Sequence, residues 1–277
     1  MQISRPSPIE AERLRFSMAT PSKKWRVRQT PQMSADMFAQ FMAVGDTKRD
    51  EIAQHAKYQL KIPAGYHAVV RQTIKEFLNS KTRDWAIIEG ACERLSAREA
   101  SASLHPKTRE RLRNNVGALR SFQNGYNRLG IGRFKLEDLH PKQPKLSIGK
   151  LRVSVSLDFL IRSVDNKGQD RIGGLMFAFT KRSEPKQVQS TARYERMAKH
   201  AASLIHMHLT DHFAELGSPV GKNCLWVDNH LQRTHAATGD YKTLLADMQR
   251  AGSRVADEWE AIQPPPGFDL DDADFGS

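Results

Sequence analysis

The chain has 277 residues, of which 39% are hydrophobic and 27% are charged, and this composition excludes an intrinsically disordered protein. No apolar run approaches the roughly 18 residues that a membrane helix requires, and no charged segment precedes an apolar block at the N-terminus. We therefore expect neither a membrane span nor a signal peptide.

Charge is distributed unevenly along the chain. Residues 1–150 hold 28 Lys/Arg against 14 Asp/Glu, a net charge of +14, whereas residues 151–277 hold 15 against 17, a net charge of −2. A basic half favours a polyanionic partner, because lysine and arginine side chains that neutralise phosphates release condensed counterions. The contrast also indicates that the two halves form separate parts of the fold.

Residues 1–33 are rich in proline and are predicted to form a basic arm. Within residues 22–28 of this arm, cations alternate with a single aromatic residue, a pattern that suits contact with nucleic acid. The residues that we expect to make this contact are Lys23, Lys24, Trp25, Arg26 and Arg28. Two alternatives remain for Trp25, which either stacks on a base or rests against the protein and pins a solvated extension.

Residues 34–130 are predicted to form a helical region. Ser34 is placed to cap its first helix, and a proline-opened helix spans residues 106–129. This last helix carries a series of cations, which form either an ordinary solvated face or a surface that follows phosphates. They are Lys107, Arg109, Arg111, Arg113 and Arg120.

Residues 131–262 are predicted to form an α/β domain on which the helix 106–129 packs. Period-two alternation over 151–159 predicts a strand that pairs as an antiparallel hairpin with a second strand over 172–181. Further elements follow in chain order: a helix over 191–216, a short strand over 224–227 and a helix over 240–262. The sequence thus predicts an α+β protein, with a helical, basic N-terminal region and a small mixed β-sheet flanked by helices.

The order helix, strand, strand, helix, strand (αββαβ) over residues 106–240 carries an acid, Asp158, on the first hairpin strand and Lys181 at the end of the second. In this it resembles the PD-(D/E)XK nuclease-like superfamily. The resemblance implies acids that bind a divalent metal to activate water, and a lysine that stabilises charge on the phosphate. The chain departs from the family pattern at two positions, because Leu157 replaces the proline and Phe179 replaces the second carboxylate.

Some members of that family carry the second acid on the helix after the lysine strand. The resemblance then implies catalytic roles for Asp158, Lys181 and Glu195, with Asp158 and Glu195 as the ligands of a Mg²⁺ ion. The alternative is that all three are ordinary surface residues of strands and helices. Whether the chain is a magnesium-dependent phosphodiesterase or an inactive, nucleic-acid-binding derivative stays open, and Mg²⁺ is expected only in the active case.

Other metal-binding patterns are weak. His208 and His212 have the i, i+4 spacing of a zinc pair, but no third ligand can be assigned, and partly buried histidines are the favoured interpretation. Cys92 and Cys224 match no ligand spacing and indicate buried thiols in a reducing compartment, the cytoplasm.

Residues 263–277 are predicted to form an acidic tail that docks on a basic surface, either of a protein partner or of this chain, or merely solubilises it. The leading functional expectation is binding of nucleic acid, DNA or RNA, on a nuclease-like scaffold. The alternative is a non-enzymatic adaptor or immunity-type subunit that binds an acidic protein partner. Loss of nucleic-acid affinity with rising salt would separate the two.

Overall fold

A computed structural model describes residues 24–60, 66–182, 184–237 and 241–275 of the chain. The described part combines helices with three small sheets, so the α+β class is confirmed. The helices are α1 (Ala35–Ala43), α2 (Asp46–Lys57), α3 (Ala68–Asn79), α4 (Ala86–Glu99), α5 (Pro106–Leu129), α6 (Val188–His212) and α7 (Tyr241–Glu258). The strands are β1 (Trp25–Val27), β2 (Gln32–Ser34), β3 (Tyr58–Leu60), β4 (Lys135–Asp138), β5 (Leu146–Ile148), β6 (Leu151–Ser154), β7 (Phe159–Val164), β8 (Asp170–Ala178), β9 (Ser218–Asp228), β10 (Arg233–Ala236) and β11 (Ala273–Asp274).

The largest sheet has five strands in the order β10-β9-β8-β7-β4. β4, β7 and β8 are antiparallel neighbours, and β9 lies parallel to β8 because α6 crosses between them. The β7–β8 turn is built by Asp165, whose carboxylate accepts the backbone N–H groups of Lys167 and Gln169. β8 corresponds to the second strand of the predicted hairpin and ends three residues earlier than expected, but its antiparallel partner is β7 rather than the predicted strand over 151–159.

Both faces of this sheet are buried. Along β8, Leu175 and Phe177 face the core formed with α3, α4 and α5, whereas Met176 and Ala178 face the core formed with α6, α1 and α7. The helix–sheet approach on the α6 face is close, since a Cβ atom at Gly174 would lie 2.9 Å from Ile205 on α6. Helices from residues 34–130 thus contribute to both layers.

The segment 151–159 is not one strand, as its alternation predicted, but parts of two. Residues 151–154 form β6, the middle strand of a separate sheet in the order β2-β6-β5, and β7 begins only at Phe159. β4, for which the sequence analysis predicted no strand, is the edge strand next to β7. Period-two alternation identifies a half-buried strand but does not say which sheet it joins.

Other boundaries differ modestly from the predicted ones. α6 begins at Val188, where Gln187 and Ser190 form a reciprocal cap, and ends at His212 rather than at residue 216. β9 extends over Ser218–Asp228, well beyond the predicted 224–227. In the described part of the chain, no helix is both long and apolar enough to cross a bilayer.

The third sheet joins the two ends of the described chain in the order β11-β1-β3. β11 pairs in parallel with β1, and Phe268 packs edge-on against Trp25 and Tyr58 at centroid distances of 5.6 and 5.0 Å. The predicted basic arm and acidic tail therefore contact each other, and part of each is folded into the protein.

Candidate functional site

Asp158 lies directly before β7, at the sheet edge where β8 and β9 end. The residue is 4% exposed, and its Oδ2 accepts the backbone N–H of Phe177 at 2.8 Å. Arg71 reaches it from α3, with Nη1 at 2.5 Å from both carboxylate oxygens, and Nη2 of Arg71 donates to the Phe177 carbonyl at 2.9 Å. The buried carboxylate is thus engaged in an ion pair with a partly exposed arginine, which leaves little capacity for a metal ion.

Phe179 fills the position where the family resemblance called for a second carboxylate. Its ring stacks on Phe177 at 5.7 Å, and the Arg71 guanidinium lies 5.0 Å from its centroid. Phe179 therefore packs against the Arg71–Asp158 pair as an apolar cover. The sequence analysis missed Arg71, because nothing in α3 identifies a partner 87 residues further along the chain.

Glu195 is not close to Asp158. Its Oε2 lies 3.4 Å from Nδ1 of His235 on β10, whereas Asp158 belongs to the start of β7. In the order β10-β9-β8-β7, the strands β10 and β7 are separated by three inter-strand distances, which amount to about 14 Å. The structure does not bring the two predicted metal ligands together, and among the described residues no group of three or more His, Cys, Asp or Glu could hold an ion. These residues do not fit a Mg²⁺ site.

A second aspartate, Asp228, closes the end of β9. It is fully buried, and its Oδ1 accepts the backbone N–H groups of His230 and Leu231 at 3.0 and 2.9 Å. Its Oδ2 lies 3.4 Å from Nη1 of Arg182 and equally far from the Tyr194 hydroxyl. Burial, together with the Asp228 carboxylate, raises the pKa of Tyr194 well above its usual value.

Arg182 is only loosely held by this second pair. Its guanidinium lies 5.1 Å from the Trp226 ring centroid, and its Nη2 is buried with no hydrogen-bond partner among the described residues. A buried donor without a partner is costly, so a small side-chain movement that exposed Nη2 to a ligand oxygen would be favoured. Arg182, which directly follows the predicted Lys181, was missed by the sequence analysis.

Arg182 opens onto a cleft of about 640 Å³ at the end of β8 and β9. Exposed Lys181 and Arg128 border it, and neither side chain has an ion-pair partner within the described ranges. The carboxylate in the lining belongs to Glu184, which pairs with Arg233 at 2.5 Å. The lining as a whole comprises Arg128, Lys181, Arg182, Glu184, His230, Leu231 and Gln232, and its charge is predominantly positive.

The predicted cations of α5 do not form one surface. Arg113 pairs with Glu99 at 2.8 Å, and Arg109 and Arg120 donate to the Ser101 carbonyl and to Gln123. Arg111 projects from another side of α5, because residues two apart on a helix differ by about 200°. Lys107 is exposed in the first turn. The residue of α5 that reaches the cleft is Arg128, which the sequence analysis did not select.

In the predicted basic arm, Trp25 is 6% exposed and packs within the third sheet, so it is not available to stack on a base. Lys24 and Arg26 are exposed, whereas Arg28 is half-buried and donates to the Gln32 carbonyl at 3.0 Å. Lys23 lies outside the described residues. Of the two alternatives for Trp25, the structure has the one in which it rests against the protein.

The histidine pair of α6 is partly buried, with His208 in the core and His212 half-buried. His208 is fully enclosed, with its ring 5.1 Å from His212 and 5.4 Å from Phe213, and burial lowers its pKa to about 4. This environment favours neutral imidazole in an apolar core.

Comparisons with protein-family models, with curated proteins and with solved structures find no match to this chain. The geometry described above is therefore the basis for assigning it a function.

Proposed function

We propose that this chain binds nucleic acid in the cleft at the end of β8 and β9, and that it does so without cleaving the strand. The observation that carries the proposal is the cationic lining of the cleft, where Arg128, Lys181 and Arg182 meet. Asp228 and Trp226 hold the guanidinium of Arg182 in place while its Nη2 has no described partner. A planar guanidinium with a spare donor matches phosphate oxygens.

The non-catalytic part of the proposal is supported by the surroundings of Asp158. Metal-dependent hydrolysis needs carboxylates that converge on an ion, but Asp158 is bound by Arg71 and Glu195 lies beside His235. The elements α5, β7, β8, α6 and β9 follow the helix–strand–strand–helix–strand order on which the nuclease resemblance rests, although β4, β5 and β6 intervene between α5 and β7. An inactive derivative of a nuclease-like scaffold accounts both for this order of elements and for the carboxylates that do not converge on an ion.

The proposal is tested by fluorescence anisotropy with labelled single- and double-stranded DNA and RNA over a range of KCl concentrations. The logarithm of affinity should fall linearly with the logarithm of salt concentration. Lys181→Gln and Arg128→Gln should each weaken binding and reduce the slope by about 0.7–0.9. Lys167→Gln removes the same charge from the exposed β7–β8 turn. This variant should change the affinity and the salt slope only slightly, through the small loss of overall positive charge.

Absence of binding at low salt would exclude nucleic acid as the ligand and favour the adaptor function, in which the cleft receives an acidic protein segment. Incubation with Mg²⁺ or Mn²⁺ tests the second half of the proposal, and intact substrates are expected. Cleavage that disappears in Asp158→Asn would show that the scaffold is active after all.

A further inference from the structure

A second cluster of cations lies on the small β2-β6-β5 sheet, away from the cleft. Its inner face is apolar and fully buried, with Met33, Val153 and Leu146 side by side in the core. Strand alternation turns their neighbours outward. Gln32 and Arg152 are cross-strand partners on this outer face, and Lys145, directly before β5, lies on the same side.

Gln32 holds this outer face together. Its side-chain oxygen accepts from Nζ of Lys145 at 2.6 Å, and its side-chain nitrogen donates to Oγ of Ser154 at 3.3 Å. Its backbone carbonyl accepts from Nη1 of Arg28 at 3.0 Å. One residue therefore fixes the positions of two cations beside Arg152.

The backbone of Arg28 is anchored as well. Its N–H donates to the Lys57 carbonyl at 2.9 Å, and its carbonyl accepts Nε1 of buried Trp259 at 3.0 Å. The guanidinium is thus presented from a rigid support rather than from a loose arm, which reduces the ordering cost of binding.

The three cations repel one another. Burial lowers the pKa of Lys145, and the charges of Arg152 and Arg28 lower it further. Burial also lowers the pKa of Arg28, with a contribution from Arg26. No carboxylate forms an ion pair with Arg28, Lys145 or Arg152 in the described part of the chain, so no opposite charge described there offsets this repulsion.

We propose that the outer face of the β2-β6-β5 sheet is a phosphate-binding site, in which Arg28, Lys145 and Arg152 coordinate the oxygens of one phosphate group. Two guanidinium groups and an ammonium supply charge-assisted hydrogen bonds, and the anion relieves their mutual repulsion. The inference does not depend on nucleic-acid binding in the cleft, because inorganic phosphate is itself a sufficient ligand for the site.

The test measures the thermal midpoint Tm in potassium phosphate and in potassium chloride at equal pH and ionic strength. Phosphate should raise the Tm of the unmodified protein by about 2–4 °C when it is well above its dissociation constant. Lys145→Gln and Arg152→Gln should lose most of this shift. The charge-matched control Lys167→Gln should keep it.

Isothermal titration with inorganic phosphate, on variants whose circular dichroism matches the unmodified protein, measures the same site without relying on unfolding. Loss of phosphate binding in Lys145→Gln and Arg152→Gln supports the proposal. Equal phosphate binding in every variant, or none in the unmodified protein, overturns it.

A further arm identifies the source of the phosphate. If an oligonucleotide without a terminal phosphate displaces inorganic phosphate, the site binds the nucleic-acid backbone. If only a 5′-phosphorylated oligonucleotide or a nucleoside monophosphate displaces it, the site binds a terminal phosphate. Either displacement supports the proposed site, and the control Lys167→Gln should leave the phosphate titration unchanged. Phosphate binding that is lost in Lys181→Gln but kept in Lys145→Gln and Arg152→Gln would assign it to the cleft and overturn the proposal.

Discussion

Two arginine–aspartate pairs lie at the same edge of the central sheet, and they differ in how complete they are. Arg71 contacts both oxygens of Asp158 at 2.5 Å and also donates to a backbone carbonyl. Arg182 approaches Asp228 only to 3.4 Å and keeps one nitrogen without a described partner. The first pair is saturated and supports the fold, whereas the second holds a cation in place with donor capacity to spare for a ligand.

The largest effect should come from breaking the saturated pair. Arg71→Ala leaves the Asp158 charge buried and should lower the free energy of unfolding by about 2–4 kcal/mol, below the cost for a wholly enclosed pair because Arg71 is partly exposed. Urea unfolding measures the change. The double variant Arg71→Ala/Asp158→Asn should recover part of the loss, since the unpaired charge is gone. A double variant no more stable than Arg71→Ala would show that the charge is not the cause.

Acid should destabilise the protein because His208 on α6 is buried as a neutral imidazole. The stabilities of variants in the two arginine–aspartate pairs must therefore be compared at one pH. Burial lowers the pKa of His208 to about 4, against about 6.5 in the unfolded chain. Between these two pKa values the unfolded state binds a proton at His208 that the folded state does not. The free energy of unfolding therefore falls as the pH drops from the higher pKa to the lower one, and the loss is about 2 kcal/mol at pH 5. His208→Leu should flatten the dependence of unfolding free energy on pH. An unchanged pH profile would contradict the assignment.

Weakening the looser pair, Arg182–Asp228, should lower the free energy of unfolding by less than breaking the Arg71–Asp158 pair. Asp228→Asn retains an oxygen for the His230 and Leu231 N–H groups but no longer attracts Arg182, and we expect a loss of about 1–2 kcal/mol in unfolding free energy. Nucleic-acid affinity should fall as well, because Arg182 is no longer positioned. Anisotropy and urea unfolding on the same sample distinguish the two effects. A stability loss equal to that of Arg71→Ala would remove the distinction between the pairs.

The smallest expected effect concerns the acidic tail and its influence on binding. Asp269 and Asp271 are exposed, and the segment that carries them packs beside basic β1. Replacing both with Asn should tighten nucleic-acid binding about two- to fivefold at low salt, and less at high salt as the charges are screened. Substitution is preferable to deletion, because Phe268 and Ala273 belong to the third core. Equal affinity at all salt concentrations would exclude competition by the tail.

The elements that the sequence predicted well are those with a strong apolar period. α5, α6 and β8 follow from such periods, whereas β7 begins only where the predicted first hairpin strand was expected to end. β4 was missed because its four residues are polar or only half-buried, and β6 was joined to the wrong sheet because its partner β2 lies more than 100 residues away. Local pattern does not encode long-range pairing.

The candidate site was predictable only in part. The sequence placed Asp158 near the end of a predicted strand rather than directly before one, and its neutralisation by Arg71 depends on the packing of α3 against the sheet. Charge alone could not separate cations that are paired, such as Arg113, from those that border a cleft, such as Arg128. Only the tertiary structure separates these cases.

The pairing of β1 with β11 also bears on how the protein is made. Trp25 and Ala273 are cross-strand partners about 250 residues apart, so the ribosome completes one long after the other. At typical elongation rates the delay is roughly 12–50 s. Throughout that interval one edge of β1 and the Trp25 indole lack their final cover, which makes the nascent chain a candidate client for chaperones during translation.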